Sequence, residues 1–197
     1  MKVVGIDLAG VKTRPTGFCI LDERMNTKTK VLFTDKEMIK EVLKIKPKII
    51  AIDAPLALPK GRKSLEEKNK IHLRECDKEL LKLGIKFFPI TLGPMRKLTE
   101  RGIKLRKILE KKGFEVIETY PGAVQDILKI PRKQKGIEKL RKSLTKLGIK
   151  GDIVKKNITG DELDAITCAL VGKLYLEKNY LALGDKKEVL MILPRTL

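Results

Sequence analysis

The sequence predicts an α/β fold with a mixed sheet, in which a three-strand antiparallel meander precedes parallel strands and helices cover both faces. Turn-rich connections separate three β-type segments at residues 2–8, 16–21 and 30–33, which is typical of a meander. Strand-like runs then alternate with helical segments, as in parallel crossovers. The 197 residues show no internal repeat and no Gly/Ser/Pro-rich linker, so we expect one domain over residues 1–197.

The middle of the chain predicts a short helix, a strand and a longer helix. The short helix covers about residues 36–44 and ends before Pro47. The β-branched run at residues 48–52 predicts a central strand. Residues 64–67, Ser-Leu-Glu-Glu, fit a capping box and predict a helix that runs to about Leu83.

The second half predicts two basic helical segments, at residues 94–112 and 124–150, the second of them broken into two pieces near Pro131, with a strand at 115–119 between the segments. A second capping box, Thr-Gly-Asp-Glu at residues 159–162, opens a further helix whose apolar residues recur every three or four positions. Residues 189–193 predict an edge strand.

The net charge of +19 lies mostly in two segments. Residues 96–112 hold eight basic and two acidic residues, and residues 129–150 hold nine basic and one acidic, so these 39 residues contribute +14. This clustering predicts a nucleic-acid partner, although a solvated, thermophile-like lysine surface is the alternative. The basic side chains expected at the phosphates are Arg96, Arg101, Arg132, Lys133, Arg141 and Lys142.

The compartment is predicted from cysteine usage and hydropathy. The three cysteines are scattered and form no CxxC pair, which favours a reducing, cytoplasmic location and argues against a zinc site. No run approaches the roughly 20 apolar residues that a membrane span requires, so we expect no membrane partner.

Three predicted strands end on an acidic residue: Asp7, Asp53 and Glu118. Because ligands gather at the carboxyl ends of parallel strands, we expect these acids at one edge of the sheet. Asp161 and Asp164, three apart in the helix after Thr159, can complete the cluster. Converging carboxylates repel one another, and a divalent cation removes that repulsion.

An all-oxygen ligand set without His or Cys suits Mg²⁺ or Mn²⁺. We therefore predict metal-dependent hydrolysis of phosphodiesters in DNA or RNA, with Asp7, Asp53 and Asp164 as metal ligands and Asp161 assisting. Each acid also has a structural explanation. Asp7 and Asp53 can cap turns, and Asp161 in a first helical turn favours the helix dipole.

Other polar residues are weaker candidates. His72, Arg74 and Asp77 lie in the predicted long helix, where they either form a solvated face or, in the case of Arg74 and His72, reach a substrate phosphate. Tyr120 could stack on a base. Because aromatic residues make up only 4% of the chain, we expect no stacking platform.

The successive segments GIDLAG, TGFCIL, IDAP, RECDKELLKLGI, IETYPGA and DELDAITCAL resemble, in this order, an uncharacterised prokaryotic family of predicted nucleases with a ribonuclease-H-like fold. The resemblance covers nearly the whole chain. It implies an acid on the first strand, matched by Asp7, and one on the fourth, matched by Asp53. It also implies acids on the C-terminal helix, matched by Asp161 and Asp164.

The wider superfamily suggests two further functions. In Holliday-junction resolvases the opening motif is Asp-Pro-Gly, whereas here Leu8 and Ala9 follow Asp7. In sugar-kinase-like ATPases the first phosphate loop reads Asp-x-Gly-x-Thr, whereas here Ala9 and Val11 take the Gly and Thr positions. The alternatives to a nuclease are therefore a non-catalytic nucleic-acid-binding protein and, less favoured, a sugar-kinase-like phosphoryl-transfer enzyme.

Overall fold

A computed structural model describes residues 1–195, which form one eight-stranded mixed sheet with helices on both faces. The strands are β1 (Lys2–Asp7), β2 (Thr16–Asp22), β3 (Asn26–Leu32), β4 (Ile49–Asp53), β5 (Val116–Thr119), β6 (Lys150–Gly151), β7 (Tyr180–Leu183) and β8 (Met191–Pro194). The helices are α1 (Asp35–Ile45), α2 (Glu75–Lys82), α3 (Gly93–Lys111), α4 (Pro121–Ile127), α5 (Ile137–Lys146) and α6 (Gly160–Leu176).

The strand order is β6-β3-β2-β1-β4-β5-β8-β7. β1, β2 and β3 form the antiparallel meander, while β1, β4, β5 and β8 run parallel. The predicted mixed sheet is therefore confirmed. In the parallel pair β1–β4, Asp7 is the register partner of Asp53, so both carboxylates end neighbouring central strands.

Strand alternation divides the core into two layers. Val4 and Ile6 pack on one face with α1 and α3, whereas Val3 and Ala51 pack on the other with α6. Because side chains alternate between faces, Asp7 and Asp53 share the α6 face. No helix within residues 1–195 has the length and apolarity to cross a bilayer.

Glycines let α6 lie directly against the sheet. A Cβ atom at Gly5 would lie 2.1 Å from the Ala165 carbonyl oxygen, and one at Gly17 would lie 1.9 Å from the Asp161 carbonyl oxygen. Only glycine permits this approach. Because Gly17 is the register partner of Asp7, the first turn of α6 lies over the end of β1.

Two predicted elements are wrong. The helix expected from Ser64 begins only at Glu75, and the buried Arg62 instead holds the preceding loop by donating to the carbonyl oxygens of Ser64, Glu67 and Ile71. The strand expected at the sheet edge, β8, lies between β5 and β7. The edge is β7, for which the sequence pattern gave no prediction.

Candidate active site

Four carboxylates from three elements meet at the carboxyl edge of the sheet. Asp7 ends β1, Asp53 ends β4, and Asp161 and Asp164 lie in the first turns of α6. The structure thus brings together the four acids that the sequence predicts as catalytic residues.

A capping box orients the start of α6. The Thr159 hydroxyl accepts from the Glu162 amide at 3.1 Å, and the Glu162 carboxylate accepts from the Thr159 amide at 2.9 Å. Glu162 also accepts from the Thr29 hydroxyl at 2.7 Å, which ties α6 to β3. Glu162 is therefore a structural residue, and Asp161 and Asp164 remain free to face the strand ends.

The ammonium group of Lys133 lies among the acids. Its Nζ is 3.1 Å from Asp7 Oδ2 and 2.9 Å from both Asp161 Oδ1 and Asp164 Oδ2. Lys133 belongs to a 3₁₀ turn, Lys133–Lys135, between α4 and α5. The sequence places Lys133 among the phosphate-binding residues, but in the structure its cation neutralises part of the acidic cluster.

Burial and mutual repulsion shift the pKa values of the two carboxylates at the strand ends, Asp7 and Asp53. Burial raises the pKa of Asp7 to about 7, an effect that Lys133 opposes and the charge of Asp164 reinforces. Burial also raises the pKa of Asp53 well above its usual value, and the charges of Asp7 and Asp164 raise it further. Burial disfavours the ammonium form of Lys133, but the charges of Asp7 and Asp164 raise its pKa overall.

No His, Cys, Asp or Glu side chains within residues 1–195 form a group of three or more suited to holding a metal ion. Around the acids, oxygen atoms converge instead on the Lys133 nitrogen. The assignment of Asp7, Asp53 and Asp164 as metal ligands therefore stays a prediction.

Gln125 is a buried member of the site that the sequence analysis missed. Its Nε2 donates to Asp164 Oδ1 at 2.7 Å and to the Thr167 hydroxyl at 3.3 Å. Gln125 lies in α4, directly after β5. Only two glutamines occur in the chain, and the position of this one after a strand end was the available signal.

Glu118 does not join the four acids. In the parallel pair β4–β5 its register partner is Ile52, and the partner of Asp53 is Thr119. Because side chains alternate, this offset of one residue places Glu118 and Asp53 on opposite faces.

Glu118, Arg74 and Asp77 instead form a buried charged network. Arg74 donates from Nη1 to Glu118 Oε2 at 2.7 Å and from Nη2 to Asp77 Oδ1 at 3.0 Å. Glu118 also accepts from the Leu56 amide at 2.7 Å. Burial raises the pKa of Glu118, and Arg74 opposes that rise. These contacts anchor the loop after β4 to α2 and β5.

His72 is exposed, and its Nδ1 lies 2.9 Å from the Thr91 hydroxyl oxygen. It lies in the loop before α2 rather than in a helix. The structure gives it no contact with the acids.

The predicted phosphate-binding residues differ in their surroundings. Arg101 is buried and donates to Asp35 at 2.7 Å and to the carbonyl oxygens of Ala9 and Phe33. Its guanidinium group therefore braces the loop after β1 rather than facing solvent. The residues that stay exposed or half-exposed are Arg96, Arg132, Lys133, Arg141 and Lys142.

A broad cleft borders the acids. Its volume is about 920 Å³, and Asp7 and Asp161 form part of its wall. Two exposed basic residues, Arg14 and Lys97, line the same cleft. The cleft therefore presents carboxylates beside cations that can hold an anionic chain.

A solved structure shares this fold. RuvC of T. thermophilus in complex with a Holliday junction substrate matches with a TM-score of 0.56 and 13% identity, covering 90% of this chain and 96% of that chain. A second structure, Thermus thermophilus RuvC, matches with a TM-score of 0.49 at the same identity and coverage. The first likeness confirms the ribonuclease-H-like fold.

Among curated proteins, none matches the chain. A protein family described as "Protein of unknown function (DUF429)" matches residues 5–188. This match extends from β1, which carries Asp7, past α6, which carries Asp161 and Asp164. The chain therefore belongs to the DUF429 family.

Proposed function

We propose that this protein is a nuclease that hydrolyses phosphodiester bonds of DNA or RNA with the help of Mg²⁺ or Mn²⁺. The observation that supports the proposal best is the convergence of Asp7, Asp53, Asp161 and Asp164 at the edge of a cleft that also holds Arg14 and Lys97. The fold likeness to RuvC, whose structure contains a Holliday junction substrate, supports a role on nucleic acid.

The donor set fits a divalent cation. All four side chains offer carboxylate oxygens, the ligands that Mg²⁺ and Mn²⁺ prefer. Burial raises the pKa values of Asp7 and Asp53, and the charge of Asp164 raises both further, so a nearby cation would favour their ionised forms. Asp7, Asp53 and Asp164 would hold the cation, which when bound supplies an activated water and stabilises the leaving oxygen.

The other residues position these groups. Gln125 holds Asp164 in place through its 2.7 Å hydrogen bond. Asp161, half-exposed at the cleft, assists the ligand set. Arg14 and Lys97 hold the phosphates of the chain in the cleft by charge, so binding weakens as salt competes.

Lys133 and a metal ion compete for the same oxygen atoms. With its Nζ within 3.1 Å of three carboxylates, Lys133 stabilises the acidic cluster. For a cation to be held by these oxygen atoms, Lys133 would have to leave them, and its charge could then contact a phosphate. In the structure Lys133 contacts the acids, so its assignment to the phosphates stays a prediction.

The same ion pairs favour a second candidate function, a nucleic-acid-binding protein that does not cut. A lysine that already neutralises the acids can make the cluster a structural feature. The two functions differ in metal-dependent turnover, which only the nuclease produces.

The test uses the parent and two charge-matched variants, Asp7→Asn and Glu110→Gln. Each is incubated with labelled single-stranded and duplex DNA and RNA, with Mn²⁺ or with a chelator. We expect cleavage by the parent in Mn²⁺ alone and at least a roughly hundredfold loss in Asp7→Asn, as for loss of an important electrostatic group. Glu110, exposed near the end of α3, is the control and its variant should cleave normally.

Cleavage by Asp7→Asn at the parental rate would contradict the assignment of the site. Binding without any cleavage by the parent would support the non-catalytic alternative. Circular dichroism of both variants verifies that the fold is intact.

A further inference from the structure

A pocket next to the acids is the most informative feature that the proposed mechanism does not use. Its volume is about 160 Å³, and Asp53 forms part of its wall. Apolar side chains, including Ile90, Met95 and Leu98, make up much of the remainder. A pocket that is mostly apolar and contains a few polar groups is typical of a site for a small or planar ligand group.

Aromatic residues are concentrated here. The chain has five Phe, three Tyr and no Trp, and Phe87, Phe88 and Tyr120 all line this pocket. Phe88 is 68% exposed, although an exposed aromatic ring gains nothing from water. Although the scarcity of aromatic residues led us to expect no stacking platform, three of the eight in the chain therefore line one pocket.

The polar groups of the pocket favour a neutral, planar ligand. Arg74 is paired with both Asp77 and Glu118, so its cation is not available to an anionic ligand. The Thr119 hydroxyl is a buried group without a hydrogen-bond partner in residues 1–195. Thr119 ends β5, and it is the register partner of Asp53, which ends β4.

The pocket adjoins the cleft beside the acids. Met95 and Leu98 line both of them, so a chain bound in the cleft would lie next to the pocket. The wall residue Tyr120 contacts the basic segment, because Arg132 lies 5.6 Å from the centre of its ring and donates to its hydroxyl at 3.1 Å. The wall of the pocket thus includes Asp53 from the acidic cluster and Tyr120, which contacts the Arg132 cation.

We propose that this pocket receives one unpaired nucleobase of the nucleic-acid chain whose backbone lies along the acids. The inference rests on the proposed function, because it assumes that nucleic acid occupies the cleft. Bases stack on aromatic side chains whatever their identity, and a base must leave a duplex to enter a pocket. The preferred substrate is therefore single-stranded or contains an unpaired nucleotide.

The experiment measures base insertion apart from cleavage. A single-stranded oligonucleotide that carries 2-aminopurine is titrated with the Asp7→Asn protein, which keeps the probe intact. We expect the fluorescence of 2-aminopurine to change on binding and Phe88→Ala to weaken binding roughly fivefold or more, in line with the loss of one stacked base. Phe88→Trp should restore affinity, because it keeps an aromatic face.

Leu83→Ala is the matched control. Leu83 directly follows α2, before the loop that carries Phe88. Its side chain is 52% exposed and does not line this pocket. Its variant should bind and fluoresce as the Asp7→Asn protein does. Thermal unfolding of all variants verifies their folding.

Two results would overturn the pocket assignment: equal binding by Phe88→Ala and Leu83→Ala, or equal binding of a fully paired duplex. Either result leaves the cleavage assay, and hence the proposed function, unaffected. A fluorescence change that Phe88→Ala abolishes, in a parent protein that never cleaves, would retain the pocket and reject the nuclease. Free 2-aminopurine riboside that binds as tightly as the oligonucleotide would also overturn the proposal, because it indicates a small-molecule site.

Discussion

Single residues at the strand ends have opposite roles depending on register. Asp53 and Glu118 both end apolar runs, yet one faces α6 and the other forms an ion pair with Arg74. Arg101 and Lys133, both predicted to meet phosphates, instead make internal contacts. At this scale the environment, rather than residue type, determines what each charge does.

Lys133 is predicted to lower the affinity of the acids for a metal ion. Lys133→Met removes the cation that competes for the acidic oxygens, so we expect Mn²⁺ to bind roughly tenfold more tightly, which corresponds to about 1.4 kcal/mol. Isothermal titration calorimetry of the nucleic-acid-free protein measures this affinity. Lys135→Met removes an exposed lysine from the same turn and is the control.

If Lys133→Met and Lys135→Met bind Mn²⁺ equally, Lys133 does not compete with the metal. Weaker binding by Lys133→Met would indicate instead that Lys133 organises the ligands.

At the scale of elements, the site depends on how closely α6 approaches the sheet. Gly5 and Gly17 allow the backbone of α6 to touch β1 and β2. The Thr159 capping box then begins the helix where Asp161 and Asp164 reach the strand ends. The geometry of the four acids is therefore set by the packing of one helix on two strands.

Gly17→Ala should displace the first turn of α6. A Cβ atom 1.9 Å from the Asp161 carbonyl oxygen cannot be accommodated without movement of the backbone. We expect a loss of about 2–3 kcal/mol in the free energy of unfolding, or about 4–10 °C in Tm. Urea unfolding monitored by circular dichroism measures this loss.

Gly93→Ala is the control, because no heavy atom lies within 4 Å of the Cβ position and the substitution leaves α3 able to form. An unchanged Tm in Gly17→Ala would contradict the close contact between α6 and β2.

At the scale of the whole molecule, the acids make folding sensitive to pH. Asp7 has its pKa raised from 3.8 to about 7 in the folded protein, so the folded state holds this proton more tightly than the unfolded state. Its contribution to stability is complete below the unfolded pKa and is lost as pH rises to about 7.

Asp7→Asn should therefore stabilise the metal-free protein at pH 8 by about 1–2 kcal/mol, or about 4 °C in Tm. The difference should shrink toward pH 4, where Asp7 is protonated in the parent. Thermal unfolding in chelator from pH 4 to pH 8 measures it. A parent protein whose Tm exceeds that of Asp7→Asn at pH 8 would show that the ion pair with Lys133 outweighs the desolvation of Asp7.

Much of the fold and of the acidic site could be predicted from short segments of the sequence. Asp7 and Asp53 each follow a short apolar run, and the Thr159 box marks a helix start within four residues. Such signals are short in range, because strands, caps and turns are set by neighbouring residues. They were enough to predict the mixed sheet and to select the four acids that the structure brings together.

The sequence by itself thus determined the meander, the central strands, the start of α6 and the carboxylates that stand at their ends. Tertiary structure alone decided that Glu118 turns away, that Lys133 lies 126 residues from the Asp7 it contacts, and that Phe88 and Tyr120 share a pocket. The physical reason is that the register between two strands and an ion pair between distant residues do not change the hydrophobic periodicity of the sequence. Such contacts depend on where whole elements pack, which local patterns do not specify.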